Sequence, residues 1–240
     1  MGDDRLEKIF IEAEPEPVGI VFAKTAILVV DMQNAFVSGG GYFDAIGIDI
    51  SAAEKIVHPC QKIIFAGREK GIRIVYLQMG YSPELSDQRS PESPSFIKSK
   101  VPSLLQHRPE LKDGLPIVGT WGAEIIEGLK PRQDDAIIMK QRHDGFIETN
   151  LDHTLRTLGI KYLLFVGTAT NICVESTLRH AFSLDYYPLL VSDAVSHMGP
   201  RLTQEATIFN VQSTFGWVTS SERLLRAMGT IEKRSPRGAR

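Results

Sequence analysis

The chain is predicted to be an α/β protein, a single doubly wound domain on a mostly parallel sheet with helices on both faces. Three observations point there. Short β-branched runs alternate with helical patterns, as βαβ units require. The first of these runs, Ala26 to Val30, is apolar throughout, as a strand buried on both faces should be. No internal repeat or linker-like stretch divides the 240 residues, a length that allows two small domains or one generous one.

The elements follow in order. Ala52 to Lys70 reads as a helix with Ile56, Cys60, Ile63, Ile64 and Gly67 on one face, and Gly71 stops it. Ile72 to Gln78 is the second strand and Ala136 to Met139 a short third. Leu151 to Leu158 is a helix ending at Gly159, and Tyr162 to Val166 is the fourth strand. Pro188 to Ser192 and Phe215 to Thr219 supply two more. Gln88 to Pro116, broken by five prolines, reads as one long irregular span of the kind that forms lids or binding loops. The main domain is expected at residues 24–228. Residues 1–23 read as an acidic, proline-bearing N-terminal arm and 229–240 as a solvated basic tail.

Composition narrows the partners. Lys plus Arg total 27 against 29 Asp plus Glu, so a net charge of −2 leaves no footprint for nucleic acid or anionic membrane. A small-molecule partner is expected. No run approaches the roughly 20 apolar residues of a membrane span, and the N-terminus lacks the order of a signal peptide, which together indicate a cytoplasmic protein. With only two cysteines, Cys60 and Cys173, there is no disulfide framework.

In doubly wound sheets ligands bind beyond the carboxyl ends of the strands. Three reactive side chains fall at such ends: Asp31 after Ile27-Leu28-Val29-Val30, Lys140 after Ile137-Ile138-Met139, and Cys173 just past the fourth strand. Each has a plainer reading. Asp31 could cap the next turn, Lys140 could be solvated, and a cysteine is often a packed core residue. Cys60, on its apolar helix face, suits the core role. Cys173 does not, because Gly167, Thr168, Ala169 and Ser176 leave room for a substrate to approach. A helix starting near Asn171 would put its sulfur in the first turn, where free N–H groups favour a thiolate.

A thiol, a carboxylate and an ammonium at three strand ends are the parts of a nucleophilic amide hydrolase. Asp31 would take the thiol proton and return it to the departing amine. Lys140, expected at the site rim, would lower the cysteine pKa and keep Asp31 ionised. Backbone N–H groups before Cys173 would hold the oxyanion.

The order Asp, Lys, Cys, with Val-Val-Asp-Met-Gln at the first and Gly-x-x-Thr-x-x-Cys-Val at the third, resembles the isochorismatase-like cysteine hydrolases over about Lys24 to Leu225. The resemblance implies a Rossmann-like six-stranded parallel sheet and an Asp31–Lys140–Cys173 triad. It also implies a cis peptide at Thr168–Ala169, an oxyanion hole from the Ala169 and Cys173 N–H groups, and a homo-oligomer, dimer or tetramer. Longer stretches, among them Gly119-Thr120-Trp121 and Ala169 through Arg179, resemble the ureidoacrylate-hydrolysing branch. That branch cleaves a ureido C–N bond through an S-carbamoyl intermediate to give aminoacrylate and carbamate. Two departures fall where a substrate would sit. Gln78-Met79-Gly80-Tyr81 stands where the branch leads one to expect Gln-Asn-Gly-Trp, and His143-Asp144-Gly145-Phe146 where it leads to Tyr-Ser-Gly-Phe. Biuret, triuret or another N-carbamoyl compound is therefore the alternative substrate.

Asn34, Tyr42, Gln78, Tyr81, Trp121, His143 and Phe146 are the pocket candidates, each with packing as its plainer role. Lys98, Arg142 or Arg179 would meet a substrate carboxylate. The six histidines are scattered, so neither a metal nor another cofactor is expected. A Cys–His mechanism through His143 is the minor alternative. Two rivals come from other classes. A haloacid-dehalogenase-type phosphatase would carry a second Asp where Gln33 stands, and a dinucleotide-binding module would need a glycine-rich first turn that Asp31-Met32-Gln33-Asn34-Ala35-Phe36 lacks.

Overall fold

Six parallel strands in the order β5-β4-β3-β6-β7-β8 form the centre of the computed structural model, which describes residues 7–88 and 90–230. These strands are β3 (Thr25–Val30), β4 (Arg73–Met79), β5 (Ala136–Lys140), β6 (Tyr162–Thr168), β7 (Tyr187–Ser196) and β8 (Trp217–Thr219). Two short strands, β1 (Ile9–Ile11) and β2 (Val18–Ile20), pair as a separate antiparallel hairpin. The helices are α1 (Asn34–Val37), α2 (Tyr42–Ala45), α3 (Ser51–Glu69), α4 (Pro94–Lys98), α5 (Val101–His107), α6 (Leu151–Thr157), α7 (Glu175–Ser183), α8 (Leu202–Asn210) and α9 (Ser221–Ala227). Among the described residues no helix is long and apolar enough to cross a membrane.

Strand β3 shows why the sheet is buried on both faces. Its side chains alternate, so Ile27 and Val29 join a cluster with Ile56, Cys60, Ile63 and Ile64 of α3. Ala26, Leu28 and Val30 join the opposite cluster with Leu151 and Leu155 of α6 and Leu178 of α7. All of the strand's residues are buried. Chain order reverses between β3 and β6: β4 and β5 build outward on one side, β7 and β8 on the other. The crevice at that switch point is where Asp31 and Cys173 emerge. Gly167 lets the two strands close there, since its φ is +113° and a Cβ would lie 2.2 Å from the Val30 carbonyl oxygen.

Three segments depart from expectation. The expected N-terminal arm is, from Ile9 onward, part of the core: Ile11, Val18 and Ile20 are buried, and Glu14 exchanges backbone hydrogen bonds of 2.8 and 3.0 Å with Val218. Its acidic residues are engaged as well, because Arg223 of α9 pairs with Glu12 and Glu14. Residues 88–116 hold α4, α5 and a 3-10 turn at Pro109–Gly114, with Pro94 and Pro102 at helix starts, where a missing N–H costs nothing. Val101, Leu115 and Ile117 gather there in a small cluster of their own. Finally, β7 runs four residues past Ser192. Its polar end is tolerated because Ser192 donates to the Thr219 carbonyl and the Asp193 carboxylate receives the Ser221 N–H of α9. The tail expected at Glu232 to Arg240 lies outside the described residues.

Candidate active site

Asp31 is the first residue past β3, with a left-handed φ of 49°, a conformation Asp tolerates better than most side chains. Its N–H donates to the Leu77 carbonyl at 2.9 Å and its carbonyl accepts from Gln33, which fixes the turn to neighbouring β4. The side chain thereby points over the sheet edge. Lys140 ends β5, two strands away, and only a long side chain could span β4 to reach it. Its Nζ donates to Asp31 Oδ2 at 2.8 Å and to the Arg142 carbonyl at 3.2 Å.

The expectation that Lys140 sits at a rim is corrected by its burial, which is complete. A lysine without water keeps its charge only with a partner, and the effects here oppose one another. Burial disfavours the charge, but the Asp31 carboxylate, by its charge and its hydrogen bond, holds the ammonium above its ordinary pKa. The other carboxylate oxygen, Asp31 Oδ1, is buried with no hydrogen-bond partner among the described residues. Such an acceptor is rare in a folded protein and suits a group that receives a proton during a reaction.

Beyond β6 the Thr168–Ala169 peptide is cis, as the resemblance implies. The chain then makes a π-helical turn, Thr170–Val174, in which the Ile172 and Val174 N–H groups both return to the Ala169 carbonyl. Helix α7 continues from it. The turn places the Cys173 thiol against the Asp31 carboxylate and the Lys140 ammonium. Here a second expectation changes. Burial raises the thiol pKa, Lys140 lowers it and Asp31 raises it, with a net upward shift, so the resting group is a thiol rather than a thiolate. His143 stands on the outer side, exposed as a residue but part-buried where its ring meets the thiol, with Nδ1 3.5 Å from Cys173 Sγ. Partial burial and the Lys140 charge hold its pKa below the ordinary 6.5, so the ring is neutral at pH 7.

The other pocket candidates divide. Tyr81 borders the site, within the field of Lys140 and Cys173, and burial pushes its phenol up to about 12. Trp121 is partly exposed on the loop after Thr120. Asn34 and Gln78 are occupied in holding that loop, donating to the Trp121 and Ala123 carbonyls at 2.9 and 2.6 Å. Tyr42 packs on Phe36 and Phe43 and accepts from the Lys100 N–H. Phe146 is buried in the core against His180 and Tyr186, so packing explains it.

Of the three basic groups, Arg179 is paired with Glu175 and lies over the Phe215 ring, whereas Arg142 pairs with Glu148 and Lys98 is exposed. Cys60 is fully buried, with its pKa pushed up to about 12 by burial. Among the described residues no group of three or more His, Cys, Asp or Glu is arranged to hold a metal.

One contributor escaped sequence reasoning. Gln33 is fully buried and donates to the Met79 and Ala123 carbonyls at 2.7 and 2.9 Å while accepting from the Met79 N–H at 2.8 Å. It stitches the ends of β3 and β4 to the Trp121 loop. The signal for it was a glutamine three residues past an apolar strand, in the run Val-Val-Asp-Met-Gln.

Comparison with known proteins agrees with this geometry. An isochorismatase domain matches residues 25–223. A protein named ureidoacrylate amidohydrolase RutB from Rhizobium rhizogenes is 41% identical over 217 residues, covering 90% of this chain and 88% of the relative. Its namesake from Agrobacterium fabrum is 42% identical over 210 residues, covering 88% and 92%. Among solved structures, a cysteine hydrolase from Pseudomonas syringae pv. phaseolicola superposes with a TM-score of 0.72 at 27% identity, over 88% of this chain and 95% of that one. N-carbamoylsarcosine amidase from Thermoplasma acidophilum does so with a TM-score of 0.61 at 27% identity, over 83% and 97%. Matched along its sheet and through each strand end that carries Asp31, Lys140 and Cys173, the chain belongs to the isochorismatase family.

Proposed function

We propose that the chain is a cysteine-dependent amidohydrolase that cleaves ureidoacrylate to aminoacrylate and carbamate, with residues 24–228 as the catalytic unit. The observation that carries this reading is the Cys173 thiol lying against the Asp31 carboxylate, whose Oδ2 is held by Lys140 and whose Oδ1 has no assigned hydrogen-bond partner among the described residues. Relatives at 41% and 42% identity are named for that activity.

Cys173 keeps its proton at rest, so deprotonation accompanies attack. Asp31 takes the thiol proton as Sγ bonds to the ureido carbonyl carbon, and the carbonyl electron pair moves to oxygen. The N–H groups of Ala169 and Cys173 receive that oxyanion. When it collapses, the C–N bond to the enamine breaks and the leaving nitrogen takes the proton from Asp31. Water then attacks the S-carbamoyl group and gives a proton to Asp31. The departing sulfur recovers that proton, and the product leaves as carbamic acid, which gives its remaining acidic proton to solvent to become carbamate. Lys140 holds the carboxylate in place between these transfers.

Met79, Tyr81 and His143 replace the Asn, Trp and Tyr that the resemblance leads one to expect near the substrate. They favour biuret, triuret or another N-carbamoyl compound as the second reading. The enzyme is read as a cytoplasmic homo-oligomer, dimer or tetramer. The test is ammonia and carbamate release from ureidoacrylate, biuret, triuret, N-carbamoyl amino acids, nicotinamide and isochorismate. Ureidoacrylate is expected to be the best substrate. Isochorismate turnover, or hydrolysis confined to the plain carboxamide, would refute the ureido assignment, and full turnover by Cys173→Ala would refute the mechanism.

A further inference from the structure

We propose that Asp144 and His180 form a latch that holds His143 against the nucleophile, and that the His143 ring donates its Nδ1–H to Cys173 Sγ during attack. The proposal rests on the reading of Cys173 as nucleophile. The segment between β5 and α6 is braced internally once and fastened to its surroundings at three points. Asp144 Oδ2 meets Nδ1 of His180 on α7 at 2.6 Å, and Asp144 Oδ1 accepts the Phe146 N–H at 2.9 Å. The next residue, Gly145, donates to Thr177 Oγ1 at 2.9 Å, and Thr177 donates in turn to the Cys173 carbonyl at 2.7 Å. The Arg142 carbonyl is the second acceptor of Lys140. One of the three fastenings ends on Lys140 and a second reaches the Cys173 backbone through Thr177, so the segment is tied to the helix that follows the turn carrying the sulfur. His143, between Arg142 and Asp144, is brought to 3.5 Å from Sγ by this fastening.

A neutral imidazole carries one N–H, and with the hydrogen on Nδ1 it is a donor aimed at sulfur. No proton leaves the ring. The thiol proton passes to Asp31, the sulfur pair forms the S–C bond, and the His143 N–H offsets negative charge that builds on sulfur in between. Burial makes that charge costly at this position, so a donor there acts on the transition state more than on the resting thiol. The resemblance leads one to expect Tyr-Ser at 143 and 144. Serine is too short to reach His180, so the imidazole and its latch depart from that pattern together.

The test is the rate at which iodoacetamide alkylates Cys173 in the full chain. The labelled peptide is identified by mass so that Cys60 is not counted, and ureidoacrylate turnover and thermal unfolding are read in parallel. His143→Phe is expected to slow alkylation about tenfold, the loss of one hydrogen bond to a developing charge. Asp144→Ser keeps an acceptor for Phe146 but not the reach to His180, and should slow it about threefold. In the His143→Phe background the same serine should add nothing, because the latch acts only through the imidazole. An unchanged rate in His143→Phe overturns the proposal, as does an equal loss from Asp144→Ser with and without the ring. If His143→Phe does not fold, Asp144→Ser alone decides, and an unchanged rate overturns it. Alkylation behaving as expected without ureidoacrylate turnover would sink the substrate assignment and leave this role standing. The converse pattern would do the reverse.

Discussion

Lys140 and Asp31 meet at 2.8 Å although their strands are separated by β4, and their side chains are 0% and 3% exposed. Removing one member strands the other charge away from water, a loss of about 3–5 kcal/mol. Lys140→Ala is therefore expected to lower urea-unfolding stability by that amount as well as to abolish turnover. A solvated lysine would cost under about 0.5 kcal/mol. Replacing both, Asp31→Asn with Lys140→Met, should regain much of the stability and none of the activity.

The same pair sets a pH signature. Lys140 is held above its ordinary 10.5, so its contribution is whole below that value and is lost only as pH rises through the higher folded value. Unfolding free energy should show no step from this pair between about pH 7 and 10. A loss within that range in the parent, absent from the Asp31→Asn and Lys140→Met double variant, would contradict the assignment.

The two thiols should separate cleanly. Cys60 is fully buried with its pKa at about 12, and it should stay unlabelled by iodoacetamide until the chain unfolds. Cys173 should react in the native state, at a rate that climbs with pH through the alkaline range. A plateau above about pH 8.5, the behaviour of a free thiol, would show that burial does not govern it. Peptide mapping before and after denaturation provides the measurement.

Asp31→Asn should reduce kcat by about 10²- to 10⁴-fold, the usual worth of a positioned proton carrier. Its amide still offers Lys140 an oxygen but cannot take the thiol proton. Steady-state kinetics on the best substrate decides this, and activity within about tenfold of the parent would remove Asp31 from that role.

Gln33→Leu fits the same volume but abandons two buried backbone groups, the Met79 N–H and carbonyl, and leaves the Ala123 carbonyl to Gln78 alone. Each costs about 1–3 kcal/mol unless the loop moves to find water. Lower stability together with a raised KM is expected, because the loop bearing Trp121 loses its tie to the Asp31 turn. Unchanged KM would mean that the loop does not bound the substrate.

What was legible in the sequence was whatever is local. Thr25–Val30 announces a doubly buried strand by its own residues, and α3 announces its buried face by spacing alone. The three strand-end groups were legible because a parallel sheet brings its carboxyl ends to one edge whatever its strand order. What was hidden depends on distant partners. Lys140 looks solvated until Asp31, 109 positions earlier, is laid beside it. Glu12 and Glu14 look like the charges of a free arm until Arg223 supplies their counter-ions. The thiolate expected at Cys173 failed for a related reason: helix position is readable from sequence, but the depth of burial that overrides it is not.

The hairpin of β1 and β2 has a consequence for the order in which the protein can be completed. It packs on β8 and α9, the last elements of the sheet and its cover, so a ribosome releases the hairpin some 200 residues before its binding surface exists. During that interval the cluster that holds Ile11, Val18 and Ile20 lacks Leu224 and Leu225 of α9, and the β8 edge that Glu14 later borders has not been made. The hairpin thus acts as one half of a clasp that shuts only after the whole sheet between its two halves has been made.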